Sequence, residues 1–523
     1  MPVSSLPSPY GIGTFGMAAV EFVDFVAECG HAYWQVLPLG QTSYGDSPYQ
    51  SFSAFAGNPY FIDLDILADE GLLTKEYIES FDWGGDINRV DYEKIFNSRY
   101  KVLKTAYREF VKNLSKSGSN AVSAAAGDSS GDRKCEASAT EFGSGGRKCE
   151  AAAFASFKKD NKDWLDEYAM YMACKEYFGY KAWSEWDKDI RFREEKAVAA
   201  YKEKLADEID FWIFCQYEFF KQWNSLKNYA NSKGIEIIGD IPIYVAPDSA
   251  DVWAHPEVFM LNENLIPDKV AGVPPDAFTD LGQKWGNPLY DWKALEADDF
   301  GWWRRRMRAQ AQMYDVIRID HFLGIIRYYT IPAHNPDAKQ GEYKEGPGKK
   351  LCDAINESIG NKKIIAEDLG VEMPEVTGLL QSNGYPGMKV LEFAFDGNRK
   401  NPHLPHNYTN SLVVYGGTHD NETLYGYYTE HSPAELKYAY AYLNTASPRK
   451  MVEESFRMVY ASVADTVIFQ VQDILCLGNT ARINTPSTLG NNWQWRMKKG
   501  ELDSGHAARM RHLASVYGRT END

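Results

Sequence analysis

The sequence predicts an α/β fold, a (β/α)8 TIM barrel carrying helical insertions. Three observations predict it. Seven short apolar runs are β-branched and nearly continuous, stretches of helical or loop character separate them, and acidic residues stand where several of the runs end. Strands buried on both faces of a parallel sheet read as continuous apolar runs rather than as alternating ones. Their alternation with helices is the pattern of successive βα units.

The runs are YWQVLPLG (33–40), IEIIGDIPIYV (235–245), YDVIRIDHF (314–322), KIIAEDLG (363–370), MKVLEFAF (388–395), LVVYGGTHD (412–420) and TVIFQVQDIL (466–475). An eighth strand would close the barrel. The place left for it is the extreme N-terminus, and residues 2–5 are read as a stub of strand 1. On this reading residues 1–64 begin the barrel with strands 1 and 2, and residues 233–523 supply strands 3–8 with their loops. Residues 65–232, between them, are mainly helical. Phe96, Tyr100, Leu103, Tyr107 and Phe110 recur at helical spacing, as do Trp164, Tyr168 and Tyr171. Within this insertion, residues 115–153 are rich in Ser, Gly and Ala and repeat RKCEA at 133–137 and 147–151. Such a composition buries little apolar area and reads as a flexible insert, with Cys135 and Cys149 as unassigned thiols.

Composition narrows the partners. A formal net charge of −17 argues against nucleic acid, and 44% hydrophobic residues suffice for a large core. No stretch approaches the roughly 20 apolar residues that span a bilayer. The opening MPVSSLPSPYGIG has neither the basic nor the apolar region of a signal peptide. Seven scattered cysteines point to reduced thiols and the cytoplasm. No His/Cys cluster marks a metal site, and no cofactor is expected. Tryptophans in Gly/Pro-rich loops (WGNPLYDW, NNWQWR) offer flat faces on which sugar rings stack.

The chemistry follows the acids. Asp240, Asp320, Glu367 and Asp420 stand at the C-terminal ends of their strands. In a barrel those ends converge on one face, where active sites lie. Unpartnered buried acids are costly, so four of them together point to use.

The motifs SLPSPYGIGTFG, LGQTSYGDSPYQSFSAFAGNPYFIDL, GDIPIYVAPDSADVW, GVPPDAFTDLGQKWGNPLYDW, RIDHFLG, AEDLG, GTHDNET and NTPSTLGNNWQWR run in order from Ser4 to about Gly518. Together they resemble the amylomaltase family of 4-α-glucanotransferases, glycoside hydrolase family 77; the 115–153 insert alone falls clearly outside the match. The resemblance implies an α-amylase-like barrel with no C-terminal β-domain, and only about 48 residues follow the last run. It also places the first part of strand 1 ahead of the LPS motif, where this sequence has Met1, so a truncated first strand is expected.

By the same resemblance Asp320 is the nucleophile, Glu367 the general acid/base and Asp420 the third acid. Arg318, His321 and His419 match residues beside those acids or against the sugar, and Asp240 supports their network. The segment 271–292 resembles a loop folding over the cleft, with Asp276, Gln283 and Trp285 as substrate contacts. Tyr44, Ser47 and Tyr49 fall in the glucan-binding stretch, and Asn484 and Pro486 match residues on the cleft. The implied reaction moves α-1,4-glucan segments among maltooligosaccharide, starch or glycogen chains, with glucose also an acceptor.

Elementary chemistry agrees with these roles. A retaining mechanism needs one ionised and one protonated carboxyl, and so two separated pKa values. Arg318 lies two residues before Asp320, which puts both on one strand face and favours an ionised Asp320. Glu367 follows Ile365 and Ala366 with no adjacent cation, and Asp368 points to the other face, so Glu367 is the carboxyl to be raised. An α-glucan hydrolase would use the same three acids. A non-catalytic glucan-binding protein would be expected to have lost one of them.

Overall fold

The computed structural model describes residues 1–43, 45–122, 144–275, 279–370 and 373–520. All seven apolar runs form strands: β1 (Tyr33–Gln35), β2 (Glu236–Pro242), β3 (Val316–Asp320), β4 (Lys363–Ala366), β5 (Gly387–Val390), β6 (Leu412–Tyr415) and β7 (Thr466–Ile468). Every pairing among them is parallel. One sheet orders β1-β2-β3-β4 and the next β5-β6-β7. The Ala366 N–H donates to Pro386 O at 3.0 Å, which joins the end of β4 to the approach to β5. The strands thus follow one another around a barrel wall in chain order. Each is shorter than its apolar run, because the ladder ends before the run does; the run of β5 passes into the 3-10 turn Leu391–Phe393 and that of β7 into the short helix Val471–Ile474.

Strands β2 to β6 are largely buried, as their composition requires, whereas β1 and β7, which flank the gap in the wall, are partly exposed. In β2 only the terminal residues, Glu236 and Pro242, are partly exposed. Gly239 shows how close the packing is: a Cβ there would lie 2.2 Å from the Tyr314 ring. A side chain at 239 would displace β2 immediately before Asp240.

Residues 2–5 are not a strand. Val3–Ser5 is a single 3-10 turn, closed by the Ser5 N–H to Pro2 O at 3.1 Å and the Leu6 N–H to Val3 O at 3.1 Å. Pro2 has no N–H to give a ladder, and Ser5 Oγ instead donates to Trp495 O at 2.7 Å. Between β7 and β1 there is no strand pairing among the described residues. A cavity of about 370 Å³ lies there, lined by both strands, Met1 and the helices outside them.

Helices occupy much of 65–232, the longest being Tyr92–Val122, Lys162–Tyr177 and Ala206–Ser232. Tyr100, Leu103, Tyr107, Phe110, Trp164, Tyr168 and Tyr171 are buried, whereas Phe96 is exposed. Of the expected flexible insert 115–153, residues 123–143, with Cys135 and the first RKCEA, lie outside the described residues. The second RKCEA falls in the helix Ser144–Asp160, so helix reaches further into the insert than composition suggested.

Segment 271–292 is a hairpin rather than a long loop. Strands Lys269–Val273 and Gln283–Pro288 pair antiparallel, and Arg327–Pro332 and Glu342–Glu345 extend them into a four-stranded sheet. No strand follows Ile468 among the described residues, apart from a lone bridge between Arg89 and Trp495. No helix among them is long and apolar enough to cross a membrane.

Candidate active site

The register of β2 against β3 sets the centre of the site. Asp240 lies opposite Arg318, and Pro242 opposite Asp320. Arg318 is buried and its Nη1 reaches both oxygens of Asp240 at 2.6 Å and Asp320 Oδ1 at 3.0 Å. One guanidinium therefore serves two carboxylates. Asp240 is fully enclosed, whereas the Asp320 side chain keeps 30% exposure at the mouth of the barrel. Burial pushes the Asp320 carboxyl above its usual value, with Arg318 pulling it down and Asp240 pushing it up. Arg318 thus stands beside Asp320 as the i,i+2 spacing predicts and pulls its carboxyl down, but the cation is shared with Asp240, and burial outweighs its pull.

Glu367 follows β4 directly. Its Oε2 accepts the His321 N–H at 2.7 Å, and its Oε1 accepts the Leu369 N–H at 3.1 Å. Those donors favour the charged form, as Arg318 does, but burial and the charge of Asp320 prevail and push Glu367 up to about 8. Asp368 points away, its Oδ1 accepting the Met388 N–H at 2.7 Å. His321 aims its N–H at Glu367 from a left-handed conformation, φ 50°, which non-glycine residues adopt at a cost. Burial lowers its imidazole to about 4, so the ring is neutral.

Asp420 comes from the loop after β6. The partial loss of water around its carboxyl would raise it, but the His419 charge and hydrogen bonds from His419 and Asn484 pull it to about 2. Asn484 Nδ2 donates to Oδ1 at 2.6 Å, and His419 Nε2 lies 3.4 Å from Oδ2. His419 Nδ1 lies 3.2 Å from Tyr49 Oη, whose hydroxyl donates to Asp240 Oδ2 at 2.8 Å. An imidazolium satisfies both of its neighbours, and the His419 pKa is raised: burial lowers it, but the charge of Asp420 and the hydrogen bond to it prevail. The Tyr49 ring stacks on His419 at 4.8 Å. Arg318, Asp240, Tyr49, His419 and Asp420 thus form one connected chain of contacts, with Asp320 joined to it through Arg318.

The cleft residues divide. Trp285, on the hairpin, meets the His321 ring edge-on at 4.8 Å, and its Nε1 donates to Gln283 Oε1 at 3.1 Å. Ser47 Oγ accepts the Tyr49 N–H at 3.3 Å and so shapes the turn before that ring. Pro486 lies half-buried in the turn after Asn484. Tyr44 and Asp276 lie outside the described residues. The loop tryptophans Trp292, Trp493 and Trp495 are buried, so packing claims them, and the open stacking face among them is reduced to Trp285.

The profile of the 4-alpha-glucanotransferase family, glycoside hydrolase family 77, matches residues 1–502. The chain belongs to that family. It is 46% identical over 523 residues to the 4-alpha-glucanotransferase of Clostridium butyricum, covering 100% of both chains. To the Thermus thermophilus 4-alpha-glucanotransferase it is 44% identical, covering 99% of this chain and 97% of that one. The solved amylomaltase of Streptococcus agalactiae, in complex with acarbose, superposes with a TM-score of 0.90 at 40% identity, over 100% of this chain and 99% of that one. The activity of this family member is therefore transfer of α-glucan segments, with glucans as its substrates.

Sequence reasoning missed some of the residues that hold this site. Asn421 Oδ1 accepts from both the N–H and the Oγ1 of Thr418 at 2.9 Å and closes the turn carrying His419 and Asp420. Arg482 ties that turn to the loop of Asn484. The Asn in THDNET is a turn residue by type, and could have been found. Nothing local in ARINTP marks Arg482, because both of its partners are carbonyls fixed by the fold.

Proposed function

We propose that this chain transfers α-1,4-glucan segments by a retaining double displacement, with Asp320 as nucleophile, Glu367 as acid/base and Asp420 as the third acid. The observation that carries the assignment is geometric: Arg318 Nη1 holds Asp320 Oδ1 at 3.0 Å, and the N–H of the next residue, His321, holds Glu367 Oε2 at 2.7 Å, so the two acids are fixed side by side at the ends of β3 and β4. Glu367 is pushed up to about 8 and holds a proton at neutral pH, while Asp420 is pulled to about 2 and is ionised. Glu367 protonates the leaving oxygen while Asp320 closes on the anomeric carbon with inversion. Asp420 lowers the energy of the positive sugar between them. Glu367, now a base, then takes the proton from the acceptor's 4-hydroxyl, and a second inversion restores the α-linkage.

Arg318 holds Asp320 and Asp240 in place, and Tyr49 and His419 orient Asp420. Trp285 and Gln283, on the hairpin, supply an acceptor platform beside His321. Acarbose carries α-1,4-linked rings, and its presence in the Streptococcus agalactiae relative supports a maltooligosaccharide cleft here. Free glucose fits as the smallest acceptor. The cytoplasm suits this reading, since Cys29, Cys174, Cys215, Cys352 and Cys476 are free thiols.

The test is to trap the intermediate. Glu367→Gln is incubated with α-maltosyl fluoride, whose leaving group needs no acid, and the missing base leaves the second step slow. Peptide mass spectrometry is expected to find the maltosyl ester on Asp320. An adduct on another carboxylate, or none while the fluoride is consumed, contradicts the assignment.

A further inference from the structure

Asp420 is held by contacts rather than by enclosure. Its side chain is 48% exposed, so packing does not fix its direction. The residue bonded to its Oδ1, Asn484, belongs to another loop, 64 residues further on. Among the described residues no strand ladder joins these two loops. Around Asp420 their registration rests on the Asn484 amide itself, on the Asn484 N–H to His419 O at 3.1 Å, and on Arg482, which sits on the Asn484 loop, braces it from within and reaches across to Asp420. Arg482 Nη2 donates to Asp420 O at 2.6 Å, and its Nε donates to Asn484 O at 2.7 Å.

We propose that Arg482 is a positioning residue for Asp420, its guanidinium fork locking the loop of the third acid to the loop of the asparagine that aims it. The proposal rests on the reading of Asp420 as the third acid. A guanidinium presents its donors in a rigid plane, so two carbonyls bound to one fork are held at a fixed spacing. A single ammonium on a flexible stem cannot impose that spacing. The base of the arginine is itself anchored to the same loop. Arg482 closes the 3-10 turn Asn479–Ala481, its N–H donating to Asn479 O at 3.1 Å. The Asn479 side chain in turn accepts the Thr423 N–H at 3.3 Å and donates to Glu422 Oε2 at 2.9 Å. The loop 418–423 is therefore gripped at its far end by Asn479 and at Asp420 by Arg482. Displacing an aimed carboxylate by about 1 Å can cost on the order of 100-fold in rate.

The experiment compares Arg482→Ala, Arg482→Lys, Asp420→Asn and the double variant R482A/D420N, with α-maltosyl fluoride as donor to keep slow variants measurable. R482A is expected to lose about 10- to 100-fold in kcat with KM within about twofold. Millimolar methylguanidinium should recover part of that loss and leave the parent enzyme unchanged. R482K should remain slow, and R482A/D420N should be no slower than D420N, because both changes remove one function. An R482A rate within twofold of the parent overturns the proposal. So does a loss that methylguanidinium does not touch, or one that multiplies with that of D420N. Should R482A fail to fold, R482K and the double variant R482K/D420N decide: a loss of more than about twofold in R482K that is absent from the D420N background supports the proposal, and a smaller loss, or one that persists in that background, overturns it. A D420N enzyme that is itself fast sinks the third-acid reading, a result distinct from a dead D420N beside a fast R482A.

Discussion

The N–H of His321 donates to Glu367 Oε2 at 2.7 Å, so the residue after Asp320 holds the carboxyl of Glu367. The contact fixes the two acids against each other through one peptide unit, and β3 pays for it with a left-handed residue at its end. It has a consequence for pH. Glu367 must carry a proton to act as the acid, and its value is about 8. Asp320 must be ionised, and burial raises it above the ordinary carboxylate range. The profile of kcat/KM is therefore expected to fall on the alkaline side near pH 8, and on the acid side above the usual carboxylate value. A flat rate from pH 6 to 10 would contradict the role of Glu367.

The same shift is a statement about stability. A carboxyl raised to about 8 in the fold, from about 4.5 unfolded, binds more protons in the folded state between those values. Stability from this group is full below the unfolded value and is lost as pH rises through about 8. Glu367→Gln removes that loss. Its melting temperature is expected to exceed the parent's at pH 9 by more than it does at pH 5, and equal differences at the two pH values would count against the buried, protonated acid.

Gly239 sits one residue before Asp240 with the Tyr314 ring against it. Ala at 239 would place a Cβ 2.2 Å from that ring, so either β2 or the ring must move. Overpacking of this kind costs about 1–3 kcal/mol. Thermal unfolding followed by circular dichroism is expected to show that loss together with reduced activity, since Asp240 shares its cation with Asp320. Unchanged stability would mean the close contact is not maintained.

Trp285 is the open aromatic face beside His321. Trp285→Ala is expected to weaken acceptor use more than donor cleavage, because water needs no platform and a sugar does. With maltotriose, the ratio of hydrolysis to transfer should rise several-fold. A uniform fall in both would assign Trp285 to packing.

The seven barrel strands were legible because strands of a parallel sheet covered by helices leave continuous β-branched runs, and the acids were legible because they end those runs. Residues 2–5 were read as a strand by elimination alone, and Pro2 with its 3-10 turn shows why elimination failed. The hairpin at 269–288 looked like a loop because its Gly and Pro residues break local pattern. It exists by pairing with Arg327–Pro332, a partner that local periodicity does not reveal. The shared arginine was half legible. The i,i+2 spacing placed Arg318 beside Asp320, but the competing claim of Asp240 arrives from a strand 78 residues away. Arg482 was not legible at all, since a side chain that binds carbonyls has no sequence partner to seek.

Transfer itself is tested most directly by pure maltotriose. The account predicts glucose together with maltooligosaccharides longer than maltotriose, while reducing ends stay nearly constant, because each bond broken through Asp320 is remade on an acceptor hydroxyl. Glucose and maltose alone, with reducing ends rising in step, would make water the acceptor and contradict it.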